Sequence, residues 1–476
     1  MGKQETELIF IPFPITGHLL VTIELAKLLL SHDDPRRIHT ITILHWGLPF
    51  LPRSNNDAFL QSLVKTESRI RLVALPELQN PPPMELFIKA SEAYIVEFVK
   101  KMVPSVRDAV ATVLSSSRDG SDSVKVAGIV LDFFCVPLID VCNEFHLPSY
   151  IFLTCSAGFL GMMKYLPERH RKIKSGFDRS SGEEKNPVPG FVCSVPNRVL
   201  PPGLFKSESY EGWVEMTERF HEAKGILVNS FTALEPNAFD YFDRLPENDY
   251  PPVYPVGPIF CSNDRPDLDS SERDRITTWL DEQPESSVAF LCFGSLKKLD
   301  VSQIQEIAQA LEIVGCRFLW SIRTDPKEYP SPNGILPDGF LNRVSGIGLV
   351  CGWAPQVEIL AHKAIGGFVS HCGWNSILEG LRFGVPIITW PMYAEQQLNA
   401  FTIVKELGLA LEMRLDYVSA NGEIVKADEI ARALRSLMDG EDVSRWKLKE
   451  IAEAAKEAVI DDGSSFVAVK RFIDCL

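Results

Sequence analysis

Apolar, β-rich runs alternate with helix-periodic segments along almost the whole chain, and few architectures accept that pattern. Leu8–Pro12 is a short apolar run closed by Pro14 and Gly17, and Leu19–Ser31 then carries apolar residues at helical spacing. Thr40–Leu44 and Ile70–Leu75 read as further strands. Val126–Asp132 reads as another, followed by a helix over Val136–Phe145 and a strand over Ser149–Leu153. The second half repeats the grammar. Val288–Phe293 runs into Gly294, a helix covers Val301–Val314, and short strands follow at Phe318–Ile322, Gly348–Cys351 and Gly367–Ser370. A helix over Ser376–Phe383 then leads to the strand Pro386–Trp390. Such alternation predicts parallel sheets covered on both faces, and 476 residues suffice for two doubly wound α/β domains.

The stretch Asn248–Ile259, NDYPPVYPVGPI, holds four prolines in twelve residues, which excludes a helix or a central strand. It is expected to link a first domain over 1–247 to a second over 260–456. Lys172–Glu211, rich in Ser, Pro, Gly and charge, is expected to be a long loop system of the first domain.

Charge narrows the partners. A net charge of −15 argues against binding nucleic acid or an anionic membrane, both of which need clustered Lys and Arg. An anionic small molecule stays open, because backbone N–H groups at a helix start can hold a phosphate. Ten scattered cysteines with no Cys-x-x-Cys pair read as buried small hydrophobes in a reducing compartment. The start, Met1–Glu7, is polar. The apolar stretch Ser149–Met163 is shorter than the roughly 20 residues a bilayer requires. A cytoplasmic protein without membrane insertion is expected, and a monomer is the default.

The chemistry concentrates between Trp353 and Gln396, WAPQVEILAHKAIGGFVSHCGWNSILEGLRFGVPIITWPMYAEQ. Its centre, Ser370-His371-Cys372-Gly373-Trp374-Asn375-Ser376, leaves a buried strand and opens a helix. That is the place where an open parallel sheet binds ligands. Gly373 permits close backbone approach, and His371, Asn375 and Ser376 add small donors suited to a diphosphate. Taken alone, the same residues could equally be an ordinary capped helix start.

Along its whole length this 44-residue segment resembles, without a gap, the signature box of plant secondary-product UDP-glycosyltransferases. The rest of the chain also looks like this family, from Pro14-Ile15-Thr16-Gly17-His18 onward, and is closest to the subgroup acting on flavonoids and phenylpropanoids. The resemblance implies the GT-B fold, two Rossmann-like doubly wound domains facing each other across a cleft. The first would bind acceptor and the second UDP-sugar, with a C-terminal helix over about 457–476 packing back on the first domain. It also implies roles at matching positions. Trp353 would stack on uracil, the main chain of Ala354 and the side chain of Gln356 would bind the base, and Glu379 would accept from the ribose hydroxyls. His371, Gly373, Asn375, Ser376 and Ser295 would hold the diphosphate, while Trp374, Glu395, Gln396 and Thr154 would touch the sugar or its phosphate. Gln396 resembles the glucose users of the family. Glutamine can also donate and accept at once to adjacent equatorial hydroxyls.

The base lies elsewhere. His18, between the first strand and first helix, sits at the sheet's ligand edge with a side chain suited to taking a hydroxyl proton. Asp132 ends an apolar strand, where an unpartnered carboxylate would be costly. The resemblance pairs the two as a catalytic dyad; the alternative is an Asp capping the next helix. An apolar acceptor pocket is expected from Phe13, Ile15, Phe87, Phe133, Phe134 and residues after Pro189.

Taken together, an inverting transfer of glucose from UDP-glucose to a hydroxyl of a flavonoid or related phenolic is expected. No cofactor and no metal are called on, and UDP-glucose is a co-substrate. Terpenoid or hormone acceptors fit nearly as well. A non-catalytic nucleotide-sugar binder would be expected to lack the His18 and Asp132 pair. A dinucleotide oxidoreductase needs a glycine fingerprint that Gly346-Ile347-Gly348 does not complete. The metal-type spacing of Asp267 and Asp269 falls in a polar stretch and reads as a solvated loop.

Overall fold

The computed structural model describes residues 6–32, 37–50, 60–62, 64–65, 67–116, 124–246, 248–260, 270–294, 299–323, 334–440 and 445–476. They divide into two compact units, one of Met1–Ser194, Gly203–Pro266 and Glu457–Leu476, the other of Val195–Pro202 and Asp267–Lys456.

The first unit is built on β1 (Thr6–Ile11), β2 (Ile38–His45), β3 (Ile70–Ala74), β4 (Lys125–Asp132), β5 (Ser149–Leu153), β6 (Gly225–Val228) and β7 (Val253–Pro255). All seven pair in parallel, in the order β3-β2-β1-β4-β5-β6-β7. In β4, KVAGIVLD, every residue after the lysine is buried. That continuous apolar run is what a strand covered on both faces requires. Helices α1 (Thr16–His32), α2 (Ser91–Ser116), α3 (Ala157–Ile173) and α4 (Ser207–Glu218) belong to this unit.

The winding reverses between β1 and β4, and side chains at the carboxyl ends of these two strands flank the crevice where such sheets bind ligands. The segment after β4 begins as a 3-10 turn over Phe133–Leu138, with the α-helix confined to Ile139–Glu144. Pro137, inside that turn, has no N–H to give to an α-helical ladder.

Two expectations of the domain map change. Residues 248–259 run within the first unit, and Val253–Pro255 forms the last strand of its sheet. Proline is excluded from central strands but tolerated at an edge, where one side of the ladder is unpaired. Conversely, Val195–Pro202, inside the expected loop system, clusters with the second unit. The C-terminal helix Ser464–Asp474 packs within the first unit, where the Phe472 ring meets Tyr150 at 5.0 Å and Tyr254 at 5.8 Å.

The second unit holds β8 (Val288–Cys292), β9 (Arg317–Ser321), β10 (Gly348–Cys351), β11 (Ile365–Ser370), β12 (Ile387–Thr389) and β13 (Ala410–Glu412). They too pair in parallel, in the order β10-β9-β8-β11-β12-β13. Strand for strand this is the winding of the first sheet, so the reversal falls between β8 and β11. Its core gathers Leu291, Phe318, Trp320, Ile388 and Trp390, all fully buried, under α5 (Val301–Val314) and later helices. Among these are α6 (Trp374–Arg382), α7 (Gln396–Phe401) and α8 (Ala427–Asp439).

Candidate active site

Each unit carries a polar cluster at its winding reversal. In the first, α1 opens two residues before His18, whose N–H bonds to the Ile15 carbonyl at 3.0 Å. His18 Nδ1 lies 2.7 Å from Asp132 Oδ2 across 114 residues of sequence. The other carboxylate oxygen, Oδ1, accepts from the Phe134 N–H at 2.9 Å, so Asp132 caps the 3-10 turn as well. Asp132 therefore pairs with His18 through one oxygen and caps the turn through the other. The Asp132 side chain is fully buried, whereas His18 keeps 14% of its side chain exposed. A carboxylate facing Nδ1 places the imidazole proton there and leaves the lone pair on Nε2.

Aromatic rings pack around the imidazole. Phe134 stacks on it at 5.5 Å with planes 22° apart, Phe133 lies at 5.5 Å and 36°, and Phe13 at 6.4 Å edge-on. Phe13 and Phe133 are only 2% exposed, so these two expected acceptor contacts back the histidine and offer a ligand almost no surface. Ile15, Phe134 and Phe87 are half-buried. Phe87 sits in a second aromatic group, 4.6 Å from Phe50 and 5.4 Å from Tyr94. The Trp213 ring, 6.0 Å from Phe134, was not anticipated, because nothing in the sequence of α4 marks it.

Thr154 is 4% exposed, and its hydroxyl lies 3.3 Å from His18 Nδ1, so it meets the histidine directly. The turn after Thr154 is held by a residue that sequence reading missed. Glu235 is buried, and its carboxylate accepts from the N–H groups of Ala157 (2.9 Å) and Gly158 (2.8 Å) and from Ser230 Oγ (2.5 Å). A carboxylate here complements the start of α3, while burial pushes its pKa up despite those three donors. Only its distance in sequence from Ala157 hid it.

In the second unit the strand β11 ends in Ser370 and α6 begins at Trp374. His371 stands between two glycines. A Cβ on Gly294 would fall 2.7 Å from its Nε2, and a Cβ on Gly373 2.6 Å from it. Gly294 also has φ +81°. Glycine at these two positions is thus what admits the imidazole. Burial lowers the His371 pKa to about 4, partly offset by the Cys292 backbone, which leaves the ring neutral near pH 7. Cys372 adopts left-handed φ +63°, unusual for a residue with a Cβ.

Gln356, first residue of the helix Gln356–Ala361, donates to Ser376 Oγ at 2.8 Å and to Glu379 Oε2 at 2.6 Å. These three expected ligand residues therefore form one network. Burial raises the Glu379 pKa to about 7, and the Gln356 bond pulls it back only in part. Trp353, Gly373, Asn375, Glu379 and Glu395 are half-buried, and Ala354 is 6% exposed. Trp374 is 2% exposed, so it offers a sugar almost no surface.

Gln396 needs a correction of its chemistry. Its Oε1 accepts from the N–H groups of Met392 (2.9 Å) and Tyr393 (3.1 Å), which leaves only the amide NH2 for a ligand. It cannot donate and accept to two hydroxyls as its side chain alone suggests. Ser295 lies outside the described residues, as do Asp267 and Asp269. Among the described residues no helix is long and apolar enough to cross a membrane.

Known proteins resemble the chain along its full length. A profile described as UDP-glucoronosyl and UDP-glucosyl transferase matches residues 214–446. The Arabidopsis thaliana protein named UDP-glycosyltransferase 71C2 is 80% identical over 474 residues, covering 100% of this chain and 99% of that one. Flavonol 3-O-glucosyltransferase UGT71C1, also from Arabidopsis thaliana, is 74% identical over 474 residues, covering 99% and 98%. Among solved structures, Medicago truncatula UGT71G1 complexed with UDP-glucose superposes with a TM-score of 0.89 at 45% identity, covering 99% of this chain and 98% of that one.

Proposed function

The chain belongs to the UDP-glycosyltransferase family, and from that premise we propose that it transfers glucose from UDP-glucose to a hydroxyl of a flavonoid or related phenolic. The products are a β-glucoside and UDP. The observation that carries turnover, rather than mere nucleotide-sugar binding, is the 2.7 Å contact of His18 Nδ1 with the buried Asp132 carboxylate. The 74% identical relative named as a flavonol 3-O-glucosyltransferase supports the acceptor class.

In this reading His18 Nε2 takes the acceptor's hydroxyl proton while the oxygen forms its bond to the anomeric carbon. The bond from that carbon to the phosphate oxygen breaks on the opposite side, and UDP leaves with the electron pair. The configuration therefore inverts in one displacement. Asp132 holds the imidazole with Nε2 free and stabilises the imidazolium that forms. Thr154, whose hydroxyl lies beside Nδ1, limits rotation of the ring.

The second unit grips the donor. Trp353 stacks on uracil, Ala354 and Gln356 bind its edge, and Glu379 accepts from the ribose hydroxyls. His371, Gly373, Asn375, Ser376 and Ser295 meet the diphosphate at the start of α6. Charge growing on the leaving group thus finds donors already in place, and the reading calls on no metal. Glu395, the Gln396 amide and Trp374 face glucose. The protein is proposed to work as a cytoplasmic monomer.

The test is UDP release from UDP-glucose with quercetin and a panel of phenolic acceptors. UDP-galactose and UDP-glucuronic acid serve as rival donors, and the glycosylated hydroxyl is assigned in each product. No release above donor hydrolysis with any phenolic acceptor would overturn the proposal. So would full turnover by His18→Ala with an unactivated hydroxyl.

A further inference from the structure

Three residues past the end of the signature segment, Asn399 is fully buried on α7. Its amide nitrogen, Nδ2, lies 3.1 Å from the Cys372 carbonyl oxygen and 3.4 Å from Glu395 Oε1. Both neighbours are acceptors, so the NH2 end must face them. The other end, Oδ1, is buried and meets no hydrogen-bond donor among the described residues. The position thus uses the amide's two donor hydrogens and leaves its acceptor idle.

What those hydrogens hold is telling. Cys372 stands at φ +63°, and the turn is tied at one end by Ser370 Oγ accepting from the Cys372 N–H at 3.1 Å. Asn399 ties the other end. A trans peptide points its C=O and the following N–H in opposite directions. Fixing the Cys372 carbonyl on Asn399 therefore turns the Gly373 N–H away from α7, at the N-cap of α6. The second hydrogen steadies the Glu395 carboxylate, one residue after Ala394, which is itself left-handed at φ +57°.

We propose that Asn399 is a positioning residue that couples the diphosphate turn to the glucose-facing carboxylate, so that both halves of the donor are gripped through one buried amide. The proposal rests on the donor-site reading given above. Asn399 touches neither half of the donor; it acts through Cys372 and Glu395.

The experiment measures dissociation constants of UDP and UDP-glucose by titration calorimetry, alongside KM for UDP-glucose, KM for quercetin, kcat and the melting temperature. Asn399→Ala is expected to weaken UDP by about tenfold, the scale of one well-formed hydrogen bond, and UDP-glucose by more than UDP because the Glu395 arm is lost with it, with quercetin KM unchanged. Asn399→Asp, nearer in shape, should bind worse than Asn399→Ala, because it sets a carboxylate against a carbonyl and Glu395. Glu395→Ala should weaken UDP-glucose and leave UDP unchanged, separating the two arms. Ser370→Ala removes the opposite tie and should weaken both ligands equally, which keeps the turn testable if Asn399 variants fold poorly.

Unchanged UDP affinity in Asn399→Ala or Ser370→Ala would overturn the proposal. A fall in melting temperature and active fraction with both dissociation constants intact would make Asn399 a packing residue only, which also overturns it. If the wild-type protein fails to bind UDP, it is the donor-site reading that falls.

Discussion

Replacing Asp132 by Asn removes one charge and hardly alters shape, so it isolates what the carboxylate does for His18. The two groups are 2.7 Å apart. At an effective dielectric constant of about 20, unit charges at that distance attract by about 6 kcal/mol. With 14% of the His18 side chain exposed, water screens part of this attraction. A retained share of about 3–5 kcal/mol corresponds to roughly a 10²- to 10⁴-fold loss in kcat/KM.

Geometry adds to the loss. The Phe134 N–H occupies Oδ1, so an asparagine that keeps its oxygen there must turn its NH2 toward Nδ1. The imidazole then accepts at Nδ1 and carries its proton on Nε2, the wrong tautomer for a base. The assay is UDP release with quercetin under saturating UDP-glucose, with UDP affinity measured in parallel. UDP affinity should stay at the wild-type value, because the residues proposed to grip UDP lie in the second unit. A more acidic phenol, already ionised at the assay pH, should recover much of the rate. If Asp132→Asn stays within about threefold of wild type on an unactivated hydroxyl, the dyad reasoning is wrong.

Other perturbations test the second unit. Gln396→Glu keeps an oxygen for the Met392 and Tyr393 amides but removes the donor facing the sugar. KM for UDP-glucose should rise by about tenfold with UDP affinity and melting temperature unchanged, and equal weakening of UDP would refute the assignment. Gly294→Ala sets a Cβ 2.7 Å from His371 Nε2 at φ +81°; it should lower stability by about 1–3 kcal/mol in denaturant titration and weaken UDP in calorimetry. With its pKa raised to about 7, Glu379 is part protonated in the free protein near neutrality, whereas ribose hydroxyls favour the carboxylate. UDP should therefore bind more tightly as pH rises from 6 to 8 and should release a proton, and Glu379→Gln should abolish both effects. In stability Glu379 and His371 act oppositely. Glu379 makes the folded state bind more protons between 4.5 and about 7, so its contribution falls as pH rises there. His371, lowered from 6.5 to about 4, makes the unfolded state bind more, so its contribution is lost as pH falls through that window. Thermal melts of Glu379→Gln and His371→Gln against pH should change slope in opposite senses.

The sequence by itself determined what depends on neighbours along the chain. Strand and helix periodicity marked β4 and β11 as buried parallel strands, and the Trp353–Gln396 segment carried, in one run of sequence, the residues that its family resemblance proposes for the donor. His18 and Asp132 were legible for a related reason. Asp132 ends a recognisable strand, His18 opens the helix that follows another, and a doubly wound sheet brings the carboxyl ends of its first and fourth strands together.

What only the tertiary structure decided are contacts between segments with no register in common. Asp132 shares its oxygens between His18 and Phe134, Glu235 reaches back to the start of α3, and Gly294 clears space for His371. Gln396 spends its oxygen on backbone amides, and Asn399 reaches Cys372. The proline-rich segment misled because composition reports what a residue forbids, not where the chain goes. Four prolines exclude a central strand, yet they leave an edge strand open, and packing against β6 settles the matter. Hydrogen bonds satisfied across 27 or 114 residues leave no periodic trace, since one polar side chain at the right place suffices.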